Sequence, residues 1–172
     1  MCLITYSIVT YNKLVKLQSR VDNSWAQIDV QLKQRYDLIP NLVETVKGYA
    51  HHEESVLTEV TRARASVGSA KTTADAVDAN NQLTGALSRL LRISENYPQL
   101  QANAGFMNLQ GQLKEIEHKI AMARQFYNDT VMNLNQKIKM FPSNIIAKMF
   151  KFQEAVFFKA EEAAQVAPQV RF

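Results

Sequence analysis

The sequence predicts an all-α protein, an antiparallel up-and-down four-helix bundle with long helices plus a short C-terminal helical segment. Its 172 residues are 47% hydrophobic and 21% charged, which is typical of one globular domain. Five glycines and four prolines leave few points at which a helix must end. Apolar residues recur every three or four positions over long segments, which is the period of an α-helix with one buried face.

The first helix is predicted from about Thr10 to Tyr36. Its buried face is set by residues at steps of four, three and four: Val21, Trp25, Ile28 and Leu32. The pattern restarts after Pro40, so we expect a tight turn in which Asp37 caps the next helix and Pro40 lies in its first turn. The alternative is one helix through Pro40, because the apolar stripe crosses it almost unbroken. A helix running on to Ser66 would be about 85 Å long, too long for a compact bundle of this size.

The remaining helices follow from the same pattern. Helix two is expected from about Pro40 to Ser66, a loop over residues 67–75, and helix three from Thr73 to Glu95. Pro98 and Pro142 also resemble helix starts. Helix four has the most regular stripe, formed by Phe106, Leu109, Leu113, Ile116, Ile120, Ala123, Tyr127, Val131, Leu134 and Ile138. A heptad stripe of this length can also join subunits, so a homo-oligomer remains open.

Several local motifs carry a family resemblance. The run from Trp25 to Tyr49, which includes RYDLIPNLVETVKGY, closely resembles the signature of the LemA family of bacterial membrane-associated proteins. The resemblance extends through ENYP at residues 95–98, ARQFYN at 123–128 and PQVRF at 168–172. It implies a LemA-like helical bundle over residues 12–141 and a C-terminal segment over 142–172. The family's biochemical role is poorly defined, so the resemblance implies little about activity.

Residues 1–11, MCLITYSIVTY, are apolar and uncharged but too short to span a bilayer. Relatives carry a transmembrane segment that runs into an Asn-x-Leu-Val sequence, and Asn12 to Val15 stand in that place. We therefore expect the remnant of an N-terminal, single-pass anchor, with the native gene starting further upstream or the chain trimmed. The expected localisation is membrane-associated, with this 172-residue chain itself soluble. The alternative is a short lead-in that packs on the bundle.

The segment from Lys137 to Lys159 is basic and aromatic. It holds five lysines and one acid, Glu154, together with five of the eight phenylalanines. Lysines suit anionic head groups and phenylalanines the acyl boundary, so we expect a membrane-surface contact formed by Lys148, Phe150, Lys151, Phe152, Phe157 and Phe158. Nucleic acid is disfavoured because the segment lacks arginine and tyrosine. A fifth helix that folds its phenylalanines onto the bundle is the other alternative. The family resemblance implies a glycine before the position of Phe152 in most relatives, where this chain has Lys151.

Catalytic and metal-binding patterns are weak. Glu115 and His118 have the Glu-x-x-His spacing of di-iron bundles, but His118 falls on the solvent side and no second motif is present. His51 and Glu54 could share a metal at positions i and i+3, although an exposed polar face is the commoner meaning. The sequence contains no nucleophile motif and no glycine-rich phosphate loop. We therefore expect no catalytic residues, no metal and no cofactor.

The corner around Pro40 is the candidate partner-docking site, formed by Arg35, Tyr36, Asp37 and Asn41. A charged and an amphipathic side chain beside a buried seam suit either a polar network or a docking surface. The sequence thus predicts a non-enzymatic, membrane-tethered helical bundle that acts as a scaffold or binds an envelope or membrane protein of unknown identity. The alternative is an accessory metal-dependent enzyme with a His/Glu site around His51.

Overall fold

The computed structural model describes residues 2–159, and in them it contains six α-helices and no strand. In chain order these are α1 (Cys2–Lys47), α2 (Glu54–Ser69), α3 (Thr73–Ser94), α4 (Pro98–Gln101), α5 (Ala104–Lys139) and α6 (Ser143–Met149). The long helices form a helical bundle, so the all-α prediction is confirmed. The predicted motif at residues 168–172 lies outside the described residues.

Local sequence explains where the shorter helices begin. Thr72 and Asp75 form a capping box at the start of α3, in which each side chain accepts a hydrogen bond from the other residue's backbone N–H. Pro98 occupies the first turn of α4, where its missing N–H costs nothing. Asn103 precedes α5 and its side-chain oxygen accepts from the backbone N–H of Phe106 at 2.9 Å.

Two compact units divide the described chain. The first contains residues 2–34 and 116–157, and the second contains residues 35–115 with Phe158 and Lys159. The helices α1 and α5 each contribute one part to each unit.

The first unit pairs α1 with α5 in antiparallel directions. Ser24 and Thr130 share a hydrogen bond of 2.9 Å, and the rings of Trp25 and Tyr127 lie 5.5 Å apart. The buried apolar residues of this unit on α1 and α5 include Leu14, Val21, Ile28, Leu32, Ile116, Ile120, Tyr127, Val131 and Leu134, and on α6 they include Ile146 and Ala147.

The second unit holds the larger cluster of buried apolar side chains. These come from α1 to α5 and include Ile39, Leu42, Val46, Leu57, Val60, Leu83, Leu87, Leu90, Leu100, Phe106 and Leu113. Within this unit α2 and α3 pack along each other, and Arg89 of α3 forms a salt bridge of 2.9 Å with Glu59 of α2.

The predicted turn at Asp37 to Pro40 is wrong. α1 continues through Pro40 and ends at Lys47, so Asp37 lies inside the helix and caps nothing. The chain turns instead at residues 48–53, starting at Gly48. A helix of 46 residues is about 69 Å long, which is shorter than the continuous helix rejected from the sequence because the real turn comes well before Ser66.

The helix tolerates Pro40 because another side chain replaces the hydrogen bond that proline cannot make. Proline has no N–H to donate to the carbonyl of the residue four positions earlier, which here is Tyr36. Arg64 of α2 donates from Nε to that carbonyl oxygen at 3.1 Å. Its guanidinium also lies 3.9 Å from the centroid of the Tyr36 ring, a cation–π geometry. Arg64 therefore contacts Tyr36 twice, through a hydrogen bond to its backbone carbonyl and a cation–π contact with its ring.

This arrangement predicts coupling between Pro40 and Arg64. Arg64→Met in the natural background leaves the Tyr36 carbonyl without its donor and is expected to lower the free energy of unfolding by about 1–2 kcal/mol. In a Pro40→Ala background the loss is expected to be smaller, because the alanine N–H donates to the same carbonyl. Urea unfolding of the four proteins of this double-mutant cycle measures the difference. Equal losses in the two backgrounds would contradict the assigned role of Arg64.

Candidate functional site

The structure places the four residues of the predicted docking corner at different depths. Arg35 is buried, Tyr36 is partly buried, and Asp37 and Asn41 are exposed one turn apart on α1. The sequence analysis grouped all four at one corner. Because they lie on one continuous helix, their side chains point to different sides of α1.

Arg35 joins α1 to α3. Its guanidinium donates from Nη1 to the hydroxyl of Thr84 at 2.8 Å, and from Nη2 to the side-chain oxygen of Asn80 at 2.8 Å and to the carbonyl of Asn80 at 3.1 Å. Asn80 in turn donates from Nδ2 to the carbonyl of Ala76 at 2.8 Å. The planar fork of the guanidinium suits several acceptors at fixed directions, which an ammonium group cannot match. Arg35 therefore holds the two helices in register.

Tyr36 fits between α1 and α2 because residue 68 is a glycine. A Cβ added to Gly68 would lie 3.0 Å from Tyr36 Oη, which is tighter than nine in ten real Cβ contacts, so the ring would have to shift. The ring is thus bounded by Gly68 near its hydroxyl and by the Arg64 guanidinium over its face.

Arg35→Lys tests the register role of the buried arginine. The substitution keeps the positive charge but loses the fork, and we expect the free energy of unfolding to fall by about 2–3 kcal/mol. Arg62→Lys, at an exposed position of α2, is the matched control and is expected to change stability by less than about 0.5 kcal/mol. Similar stabilities of the two variants in urea would show that the fork does not hold the helices.

The basic aromatic segment forms an exposed apolar end of the first unit. α6 and the residues on either side of it expose five apolar side chains, which we name the apolar tip: Met140, Phe141, Ile145, Met149 and Phe150. Phe141 is 79% exposed and Met149 65%. Lys148 and Lys151 are exposed among them.

The first turns of α1 contribute to the same end of this unit. The ring of Tyr11 lies 4.6 Å from that of Phe150 and 5.9 Å from that of Phe152. Leu3 is 83% exposed and Ile4 67%, and residues 1–21 contain no acidic side chain. Apolar exposure and positive charge therefore coincide there.

The remaining predicted contact residues lie deeper. Phe152 and Phe157 are partly buried, and Phe158 is buried at 3% exposure in the second unit. Residues 150–157 do not continue α6. They run along α5, where the Tyr127 hydroxyl donates to the carbonyl of Val156 at 2.7 Å. Asn135 exchanges two hydrogen bonds with the backbone of Ala155 in the same stretch.

Lys151 adopts a backbone conformation that favours glycine. Its φ is 57°, in the left-handed region, just after α6. The N–H of Phe152 donates to the carbonyl of Ala147, and the N–H of Lys151 to that of Lys148, which is the Schellman pattern of helix ends. A non-glycine residue costs about 1–2 kcal/mol there. A glycine would adopt this turn without strain, whereas this chain has a lysine there.

Sequence reasoning found the lysines of this end but missed most of its exposed apolar side chains. It named Phe150 but did not separate the inward side of α6 (Ile146 and Ala147) from the outward side (Ile145 and Met149). The signal was the isolation of Met140 and Phe141 before Pro142, where the stripe of α5 ends.

The side chains considered as candidate metal ligands, His51, Glu54, Glu115 and His118, are all exposed. His51 and His52 are exposed in the turn between α1 and α2, and His118 is exposed on α5. Glu53 accepts a hydrogen bond from the Tyr97 hydroxyl at 3.1 Å, and burial together with this carboxylate raises the pKa of Tyr97. Across residues 2–159, no three His, Cys, Asp or Glu side chains are grouped as a metal site requires. Nor does any helix in that range have the length and apolar character to cross a membrane.

Burial raises the pKa of Tyr127 on α5, and the negative charge of Asp22 raises it further. Since the folded pKa lies above the unfolded value near 10, the neutral phenol stabilises the fold below about pH 10. This contribution is lost as the pH rises through the folded pKa. We expect the free energy of unfolding to fall more steeply between about pH 9 and 11 in the natural protein than in Tyr127→Phe. Parallel pH profiles from urea unfolding would contradict this coupling.

The fold defines an all-α helical-bundle protein, and residues 2–159 contain no group of three or more His, Cys, Asp or Glu side chains that could hold a metal ion. The LemA family model matches residues 24–172. The chain belongs to the LemA family.

Three curated relatives cover most of the chain. The magnetosome protein MamQ 2 of Paramagnetospirillum magneticum is 24% identical, over 95% of this chain and 71% of that protein. Protein LemA of Metamycoplasma hominis is 22% identical, over 90% of this chain and 71% of that protein. The magnetosome protein MamQ of Magnetospirillum gryphiswaldense is 23% identical, over 97% of this chain and 72% of that protein.

Proposed function

We propose that this LemA-family chain is a non-enzymatic scaffold that associates with a membrane surface at the bacterial envelope through the apolar tip. The observation that carries the proposal is the coincidence of exposed apolar side chains with unopposed lysines. Phe150 is 51% exposed between Lys148 and Lys151, and the first acid after them is Glu154, which pairs with Lys139 at 2.8 Å. Phenylalanine and methionine enter the acyl boundary while lysines contact anionic head groups.

The strain at Lys151 supports this function. Strained backbone positions are held in place by the surrounding structure, and they cluster at functional sites. A glycine would make the turn after α6 more stable, so the lysine is explained by its charge. Surface contact of this kind requires no membrane-spanning helix.

Partner binding belongs to the exposed side of the Pro40 corner. Asp37 and Asn41 present polar groups one turn apart on a rigid helix, and Arg35 positions that helix from the buried side. An envelope or membrane protein is the partner class that agrees with association at a membrane surface.

Lys151→Gly separates function from stability. Relief of the left-handed strain is expected to raise the free energy of unfolding by about 1 kcal/mol. Loss of one lysine is expected to weaken binding to vesicles of equal parts phosphatidylglycerol and phosphatidylcholine by about fivefold, and addition of Lys148→Gln by a further factor of about five. Co-sedimentation at low salt measures binding, and urea unfolding measures stability.

Lys71→Gln supplies the matched control, since it removes one exposed lysine from the loop before α3. It should leave vesicle binding within about twofold of that of the natural chain. The reason is that Lys71 belongs to the second unit and is not one of the lysines of the apolar tip. Equal weakening by Lys71→Gln, or equally strong binding to pure phosphatidylcholine, would overturn the proposed contact.

A further inference from the structure

A second apolar stripe lies on α5, on a different side from the buried one. Met122 is 61% exposed and Phe126 is 55% exposed, one turn apart. Lys119 precedes them and Asp129 follows, and both are exposed. Steps of three, four and three residues keep all four on one face of a helix. We name these four residues the α5 seam.

A groove runs beside this seam. It has a volume of about 440 Å³ and is lined by Gln27, Val30, Gln31, Lys119, Met122 and Ala123. Val30, on α1, is 54% exposed at its edge. The side-chain oxygen of Gln31 is buried and accepts no hydrogen bond from residues 2–159. The groove thus offers an apolar wall and an acceptor that lacks a donor.

The spacing of the α5 seam reads the same in both directions. When two such helices lie antiparallel with their centres aligned at residue 124, Met122 of each faces Phe126 of the other. Lys119 of each then faces Asp129 of the other. Methionine sulfur and an aromatic ring attract each other. One ion pair between Lys119 of one copy and Asp129 of the other then forms at each end of the aligned stretch. The α5 seam is therefore complementary to a second copy of itself in residue spacing, polarity and charge.

We infer that the α5 seam binds a second copy of this chain. A two-fold axis through the middle of the seam uses the same patch on both subunits, as isologous dimers require. The Phe126 ring of each copy enters the groove of the other beside Met122 and Val30, as a knob enters a hole. Other proteins could cover the groove, but the charge pattern of Lys119 and Asp129 suits this chain itself. The inference does not depend on the proposed membrane contact.

Sedimentation velocity of the full chain over about 1–500 µM tests the inference, since a small interface gives a weak dimer. The natural chain is expected to show a concentration-dependent equilibrium between monomer and dimer. Phe126→Asp removes the central aromatic anchor and is expected to raise the dissociation constant by at least about 30-fold. Met132→Asp, at an exposed position of α5 outside the seam, is expected to change it by less than about threefold.

Charge reversal gives the sharper result. Lys119→Asp and Asp129→Lys alone each place like charges together and should weaken the dimer by about tenfold, whereas the double variant should recover it to within about threefold of the natural chain. Far-ultraviolet circular dichroism checks that each variant keeps its helices. A natural chain that stays monomeric throughout, a dimer insensitive to Phe126→Asp, or a double variant no tighter than the single ones would overturn the inference.

Discussion

The structure depends on how α1 passes Pro40. An interior proline removes one hydrogen bond of the helix and normally bends or ends it, at a cost of about 3 kcal/mol. Here the orphaned carbonyl of Tyr36 accepts from Arg64, which also covers the Tyr36 ring. α1 is therefore a single element of 46 residues that contributes to both units of the described chain. The buried fork of Arg35, one residue before Tyr36, joins the same part of α1 to α3. Two arginines and one tyrosine thus hold three helices of the second unit at the point where the sequence places a helix breaker.

The two units differ in what they leave exposed. The second unit draws buried side chains from five helices around one cluster. The first has parts of two long helices, the short α6 and a non-helical stretch along α5, so apolar side chains remain exposed at the apolar tip and along the α5 seam. These surfaces differ in charge, because the tip carries lysines without neighbouring acids while the seam balances Lys119 with Asp129. The lysines of the apolar tip suit an anionic membrane surface, whereas the paired charges of the α5 seam suit the same seam on a second copy of the chain.

Periodicity in the sequence predicted the all-α fold and many of the buried residues, but not where α1 ends and α2 begins. Leu113, Ile120 and Val131 recur at helical spacing and are buried, and Thr73 begins α3 as expected. The path at Pro40 could not be predicted, because the donor that replaces the missing N–H lies 28 positions later in the sequence. The depth of Arg35 depends on Asn80 and Thr84 in the same way. At the tip, composition indicated lysines and phenylalanines together, but the exposure of Phe150 and the burial of Phe158 follow from the chain's path after α6, where residues 150–157 form no helix.

The claim that the apolar tip contacts a membrane is tested most directly by amide hydrogen exchange of the whole chain, with and without phosphatidylglycerol-containing vesicles. The account predicts added protection in peptides that cover residues 3–11 and 140–151, and unchanged exchange in α2 and α3. This pattern would locate the contact at the end of the first unit without any substitution. Protection confined to α2 and α3, or no change anywhere while the chain sediments with the vesicles, would contradict it.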